Sequence, residues 1–224
     1  MLEASTTRPE GTWIDRAQQR FGALNEGLVL RTRSLLNRIV GDESLHPRLL
    51  NTLSLLEHMG SHKIMATQHG TAVDQATLRH LAEECHHAFF MKRQAEKAAR
   101  ASLEYRPEDL LAPRSARMYF QRLEASTRRQ LERERSPGAC YLYLSMVVEF
   151  RAVWFYSLYQ QALTLAGHAL SLKRLLGEEQ NHLAEMAERL EHVGQLDDAR
   201  VDRFVQTEHR LYAHLLDALQ ESAT

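Results

Sequence analysis

Apolar positions recur along the chain at helical intervals, with no useful run of the strict alternation that marks strands. Residues 13–40 carry Leu24, Leu28, Leu30, Leu35, Leu36, Ile39 and Val40 at loose helical spacing and close at Gly41-Asp42. Ser44 or His46 can cap the next helix, with Pro47 in its first turn, where a missing N–H is harmless. The pattern predicts that helix over about 47–68, ending at His69-Gly70, and a second over about 75–104, capped by Thr71 or Asp74. A long connection, 105–136, holds a helix near 115–134. Ser136-Pro137 opens a helix to about 165, and Ala166-Gly167-His168 turns the chain into another that stops at Gly194. An amphipathic helix over about 198–221 follows.

The chain therefore reads as all-α. Four of its helices are 20 to 30 residues long and form two pairs joined by a long connection, the layout of a four-helix bundle with one crossover and additional N- and C-terminal helices. Residues 1–12 are polar and hold no apolar stretch of signal-peptide length, so they read as a disordered arm. Residues 13–224 read as one helical domain with its core bundle at about 45–195.

The helix after Pro137 breaks the amphipathic pattern. From 136 to 172 only Glu149 and Arg151 are charged, among many aliphatic and aromatic residues. Such a helix is buried on nearly every face. The two mid-segment charges argue against a membrane span. A buried carboxylate costs several kcal/mol unless paired or metal-bound. Residues two apart on a helix face different directions, so Arg151 is poorly placed to pair with Glu149.

Composition narrows the class. The 224 residues hold 28 basic and 29 acidic side chains, a formal charge of -1, which argues against a dedicated nucleic-acid or membrane-surface protein. Two cysteines make neither a disulfide framework nor a cysteine zinc site, and a cytoplasmic location is expected. Twelve histidines are an excess that needs a reason.

Residues 83–87 read Glu-Glu-Cys-His-His and 178–182 read Glu-Glu-Gln-Asn-His, both E-E-x-x-H. With 21 glutamates and 12 histidines, chance supplies about a tenth of one such motif, yet two occur in separate long helices. Three residues apart, the second Glu and the His share a helix face and can bind one metal. The preceding helix of each pair adds a glutamate: Glu57 lies 27 residues before Glu84, and Glu149 lies 30 before Glu179. Each spacing lets the chain run up one helix and return to the same depth. The candidate ligands are thus Glu57, Glu84, His87, Glu149, Glu179 and His182, a two-fold repeat of ligand pattern. Two of the twelve histidines carry this argument; His58, His62 and His86 read as surface residues, and Cys85 as helix packing.

This set resembles the ferritin-like di-iron carboxylate superfamily, whose signature is Glu on helices one and three and Glu-x-x-His on helices two and four. The doubled acids resemble its oxygen-activating branch. By that resemblance Glu83 and Glu178 accept hydrogen bonds from the ligand histidines and hold their tautomer. The resemblance implies two iron ions, with manganese as the other metal suited to hard carboxylates and imidazole. It also implies an oxygenase or oxidase that uses O2 to hydroxylate, N-oxygenate or desaturate a small organic substrate. Iron storage or peroxide scavenging is the first alternative, and a tRNA-modifying di-iron hydroxylase the second. The four-cysteine centre of rubrerythrins is absent, and Leu175 stands where aryl-amine N-oxygenases carry an extra histidine.

Phe150, Trp154 and Tyr156 are candidates to wall a substrate pocket. Residues 92–135 carry a net charge of +5, with Arg114, Arg117, Arg122, Arg128, Arg129, Arg133 and Arg135 in a run. That run is a candidate dock for an electron donor or carrier protein, against a plain solvated helix face. Nucleic acid and membrane are not expected partners, and a homodimer is the candidate assembly.

Overall fold

The computed structural model describes residues 12–67 and 74–224. Most of the expected arm, 1–11, and the expected turn at His69, Gly70 and Thr71 lie outside those residues. The described residues form α1 (Trp13–Leu24), α2 (Glu26–Val40), α3 (Leu45–Thr67), α4 (Gln75–Ala99), α5 (Pro113–Arg133), α6 (Cys140–Leu165), α7 (Lys173–His192) and α8 (Asp198–Ser222), with no strand among them.

Several boundaries differ from the sequence pattern. The expected 13–40 helix is two helices, α1 and α2, broken at Asn25. Asn25 is fully buried, and its amide donates to the Phe21 carbonyl at 2.9 Å, competing with helix continuation. Its Oδ1 accepts from Arg151 Nη2 at 2.6 Å, which ties the break to α6. Asp42, not Ser44 or His46, opens α3: Oδ1 accepts from the backbone N–H groups of Ser44 (2.8 Å) and Leu45 (3.0 Å). Asp74 caps α4 through the Thr77 N–H. That helix ends at Ala99 instead of 104, because Arg100 takes the left-handed conformation at φ 53°.

The chain after Arg100 is strapped to α3. Asn51 Nδ2 donates to the carbonyls of Glu104 (2.8 Å) and Asp109 (3.0 Å), and Arg48 Nη2 donates to that of Leu110 (2.7 Å). This carries the crossover into α5.

Packing follows from the faces. Helices α3 and α4 lie antiparallel: Ser54 Oγ donates to the Ala88 carbonyl, and Gly60 lies beside Glu84. In the same way α6 lies antiparallel to α7, with Tyr143 bonding the Gln195 carbonyl near one end and Gln160 accepting from the Leu172 N–H near the other. The two hairpins meet through α4 and α7, where Glu83 reaches His182 and His87 reaches Glu178.

Helices α5 and α8 pack on each other and on α6. Helix α6 is buried on almost every face, including Tyr143, Val147, Phe150 and Tyr159. Despite this, no helix of the described residues is long and apolar enough to cross a membrane.

Candidate metal centre

Seven side chains converge between the hairpins. Helix α3 supplies Glu57; α4 supplies His80, Glu84 and His87; α6 supplies Glu149; α7 supplies Glu179 and His182. On α4 the intervals of four and three residues stack His80, Glu84 and His87 along one stripe. The donor atoms fall into two groups, His80-Glu84-Glu149-His182 and Glu57-Glu84-His87-Glu179, each within 4.8 Å. Glu84 belongs to both. Glu179 spans them as well, with Oε1 at 3.2 Å from His87 Nδ1 and Oε2 at 3.2 Å from His182 Nδ1.

Each imidazole is oriented from outside the cluster, and the partners are crossed. His182 Nε2 donates to Glu83 Oε2 at 2.7 Å, and His87 Nε2 donates to Glu178 Oε2 at 3.0 Å. A carboxylate only accepts, so each Nε2 carries the proton and each Nδ1 faces inward. Arg174 Nε donates to Glu178 Oε1 at 2.9 Å and steadies that carboxylate.

The electrostatics are those of a site built for positive charge. Burial, then repulsion from Glu84 and Glu179, holds Glu57 well above the usual carboxylate range. Burial, then Glu179 and Glu84, does the same for Glu149. Burial opposes ionisation of Glu179 too, but the hydrogen bond from His182 and the close approach of His87 outweigh it and hold this group low. Burial likewise opposes charging of both imidazoles. The contact with Glu179 and the surrounding carboxylates prevail, and raise His87 to about 10 and His182 to about 8.

Three buried atoms of the cluster make no hydrogen bond: His80 Nε2, Glu84 Oε1 and His87 Nδ1. Glu84 Oε1 lies 3.4 Å from His80 Nε2 and 3.8 Å from His87 Nδ1. Unmet polar atoms facing one another in a core are costly, and a cation between them satisfies all three. The buried cluster can therefore bind a metal ion.

An apolar cavity of about 100 Å³ opens beside Glu57, Glu84 and Glu149. Leu53 and Leu56 of α3, Phe120 of α5, Phe155 of α6, and Leu215 and Leu219 of α8 wall it. The crossover helix and the C-terminal helix thus close the site on this side. A second, more polar cavity of about 330 Å³ shares Gly60, Glu84 and Glu149 with the first. It runs outward past His80 to Lys63, Glu124 and Arg128, where Lys63 pairs with Glu124 and Glu124 Oε1 accepts from Arg128 at 2.8 Å.

Glu57, Glu84, His87, Glu149, Glu179 and His182 all lie in the cluster, and Glu83 and Glu178 lie against its imidazoles. His80 is the member that reading by Glu-x-x-His pairs omits. Its signal was present, since it falls four residues before Glu84 on the same face. Its Nδ1 bonds the Tyr141 hydroxyl at 2.8 Å, which leaves Nε2 to the cluster.

Of the candidate pocket walls, Tyr156 lines the cavity and donates a short hydrogen bond to Glu57. Phe150 and Trp154 do not; they line a separate cavity with Phe21 of α1, on which Phe150 stacks, while Trp154 meets Tyr212 of α8 edge to face. Cys85 is exposed rather than packed, because it falls on the outer face of α4 with His86. His58 and His62 are exposed and meet edge to face.

In the arginine run, Arg114, Arg122, Arg129 and Arg133 are exposed and Arg128 pairs with Glu124. Arg151 is held by Glu208 of α8, through Nε and Nη2, both at 2.8 Å.

Comparison of the chain with protein-family models, curated proteins and solved structures gives no match.

Proposed function

We propose that this protein is a di-metal carboxylate oxidase or oxygenase of ferritin-like four-helix architecture, with iron as the metal and a small organic molecule as substrate. The observation that carries this reading is two overlapping buried donor groups, joined at Glu84 and Glu179, beside an apolar cavity. Carboxylates with imidazoles are hard and borderline donors, suited to iron or manganese rather than copper or zinc. His80, Glu84, Glu149 and His182 would hold one ion, and Glu57, Glu84, His87 and Glu179 the other. When bound, such a pair supplies the redox chemistry by which O2 oxidises an organic molecule.

The chain's own residues set the conditions for that chemistry. Glu83 and Glu178 fix the ring orientation of His182 and His87. Tyr156 holds the free end of Glu57. The leucines and phenylalanines from α3, α5, α6 and α8 exclude water and present substrate to the carboxylate side of the cluster. An oxygenase turnover also takes electrons from an external reductant, for which the exposed arginines of α5 offer a docking face.

Storage of iron calls for no apolar cavity at the metal site, and the cavity supports the oxidase reading over it. Anaerobic loading with ferrous iron followed by air separates the two. An oxidase takes up about two irons per chain and then stops, whereas storage continues to hundreds. Continued uptake into a large mineral core would overturn the proposal.

A further inference from the structure

We infer that the polar cavity beside the cluster binds an amphipathic monocarboxylate, with its carboxylate at Lys63 and Arg128 and its hydrocarbon end against Gly60, and that Gly60 is a specificity-determining residue. As a substrate assignment this rests on the oxidase reading; as a binding site it does not.

Gly60 is the anomaly. It sits inside α3, where glycine weakens a helix relative to alanine. Its φ is not positive, and a Cβ there would meet only Glu84 Oε2, at an ordinary 3.5 Å. Neither backbone conformation nor close packing requires glycine. What the missing side chain leaves is space. Gly60 lines both the apolar cavity and the polar one, on the wall they share with Glu84 and Glu149.

From that wall the polar cavity runs between α3, α5 and α6. Along α5 it extends from Phe120, which lines both cavities, to Arg128, about 12 Å away at the helical rise. Ile64, Phe120, Leu144 and Val148 give its inner part apolar surface. At about 330 Å³ it is over twice the ~150 Å³ that accepts benzene, so about a dozen heavy atoms fit.

The outer end selects the head group. Lys63 and Arg128 both pair with Glu124, and one carboxylate shared by two cations leaves N–H donors unused on each. Glu124 is itself taken up, with Oε2 accepting from Lys63 and Oε1 from Arg128. Glu132, the other charged residue at this end, is exposed one turn beyond Arg128 and repels an anion placed further out. Inward, Glu84 and Glu149 repel a carboxylate at the cluster. A carboxylate is therefore favoured at Lys63 and Arg128, between these two limits, and the hydrocarbon end turns towards Gly60.

The test compares octanoate with octan-1-ol, equal in chain length, on the metal-free full chain by isothermal titration calorimetry. Octanoate is expected to bind about 10-fold more tightly, the gain from hydrogen bonds between charged groups. Lys63→Met should remove that advantage and leave the alcohol's affinity unchanged. Gly60→Leu, which fills the space on the shared wall, should weaken both ligands at least 10-fold. Equal affinities, alcohol preference, or octanoate binding indifferent to Lys63→Met or to Gly60→Leu would each overturn the inference.

If Gly60→Leu does not fold, the two ligands on the unaltered chain and on Lys63→Met still decide, since that substitution breaks only a partly exposed pair. Octanoate preference without metal uptake would sink the oxidase reading and leave this site standing; metal uptake without octanoate preference would do the reverse.

Discussion

Glu83, on one hairpin, holds His182, on the other, by a 2.7 Å hydrogen bond to Nε2. Glu178 returns the same contact to His87 at 3.0 Å. The crossing means that each half of the chain orients a donor presented by the other half, so the site forms only when both hairpins dock. Glu83→Gln keeps the size of the side chain and removes the charged acceptor. Metal affinity is expected to fall by about 10- to 100-fold with the helical signal unchanged. Titration of the variant with ferrous or manganous ion under argon checks this; wild-type affinity would contradict the orienting role.

His80 makes the two donor groups unequal. Its counterpart position on α7, four residues before Glu179, is the buried Leu175. His80→Leu should lower the affinity of one ion and leave the other, so uptake drops from about two to about one per chain. Loss of both ions, or of neither, would contradict an assignment of His80 to a single group.

The metal-free protein should lose stability as pH rises. His87 and His182, raised to about 10 and about 8, contribute fully below their ordinary value of 6.5. That contribution disappears as pH passes first the lower and then the higher value. Glu57 and Glu149 act in the same direction, since their raised values make the folded state hold protons that the unfolded chain releases. Melting temperature measured between pH 6.5 and 9.5 should fall without metal. Metal binding displaces these protons, so affinity should climb over the same range. A flat melting profile would contradict the protonated cluster.

Arg151 and Glu208 are a buried pair whose separation leaves one charge alone. Glu208→Ala should cost about 3 to 5 kcal/mol in urea unfolding, more than an exposed pair such as Arg20–Asp198, at about 0 to 1 kcal/mol. A cost near zero would show that water or another side chain takes over the arginine.

The helices and the carboxylate–imidazole pairs were legible because their signals are local. Glu84 and His87 share a face by spacing alone, and the apolar run around Glu149 marks burial without any partner being known. What stayed hidden depends on contacts far along the chain. Asn25 breaks the first helix where it meets Arg151, 126 residues on. Phe150 and Trp154 look like pocket walls in a buried helix, but which face of α6 meets the cavity is set by where α1 and α8 dock. His80 was the avoidable omission, since the same one-face argument that joins Glu84 to His87 reaches one turn further back.

The measurement that tests the central claim most directly is metal content after anaerobic loading of the purified chain with ferrous iron, beside Glu149→Ala treated identically. The account predicts about two irons per wild-type chain and a clear loss in the variant, with helicity largely retained. Fewer than one iron per wild-type chain, or equal loading of the two proteins, would contradict it.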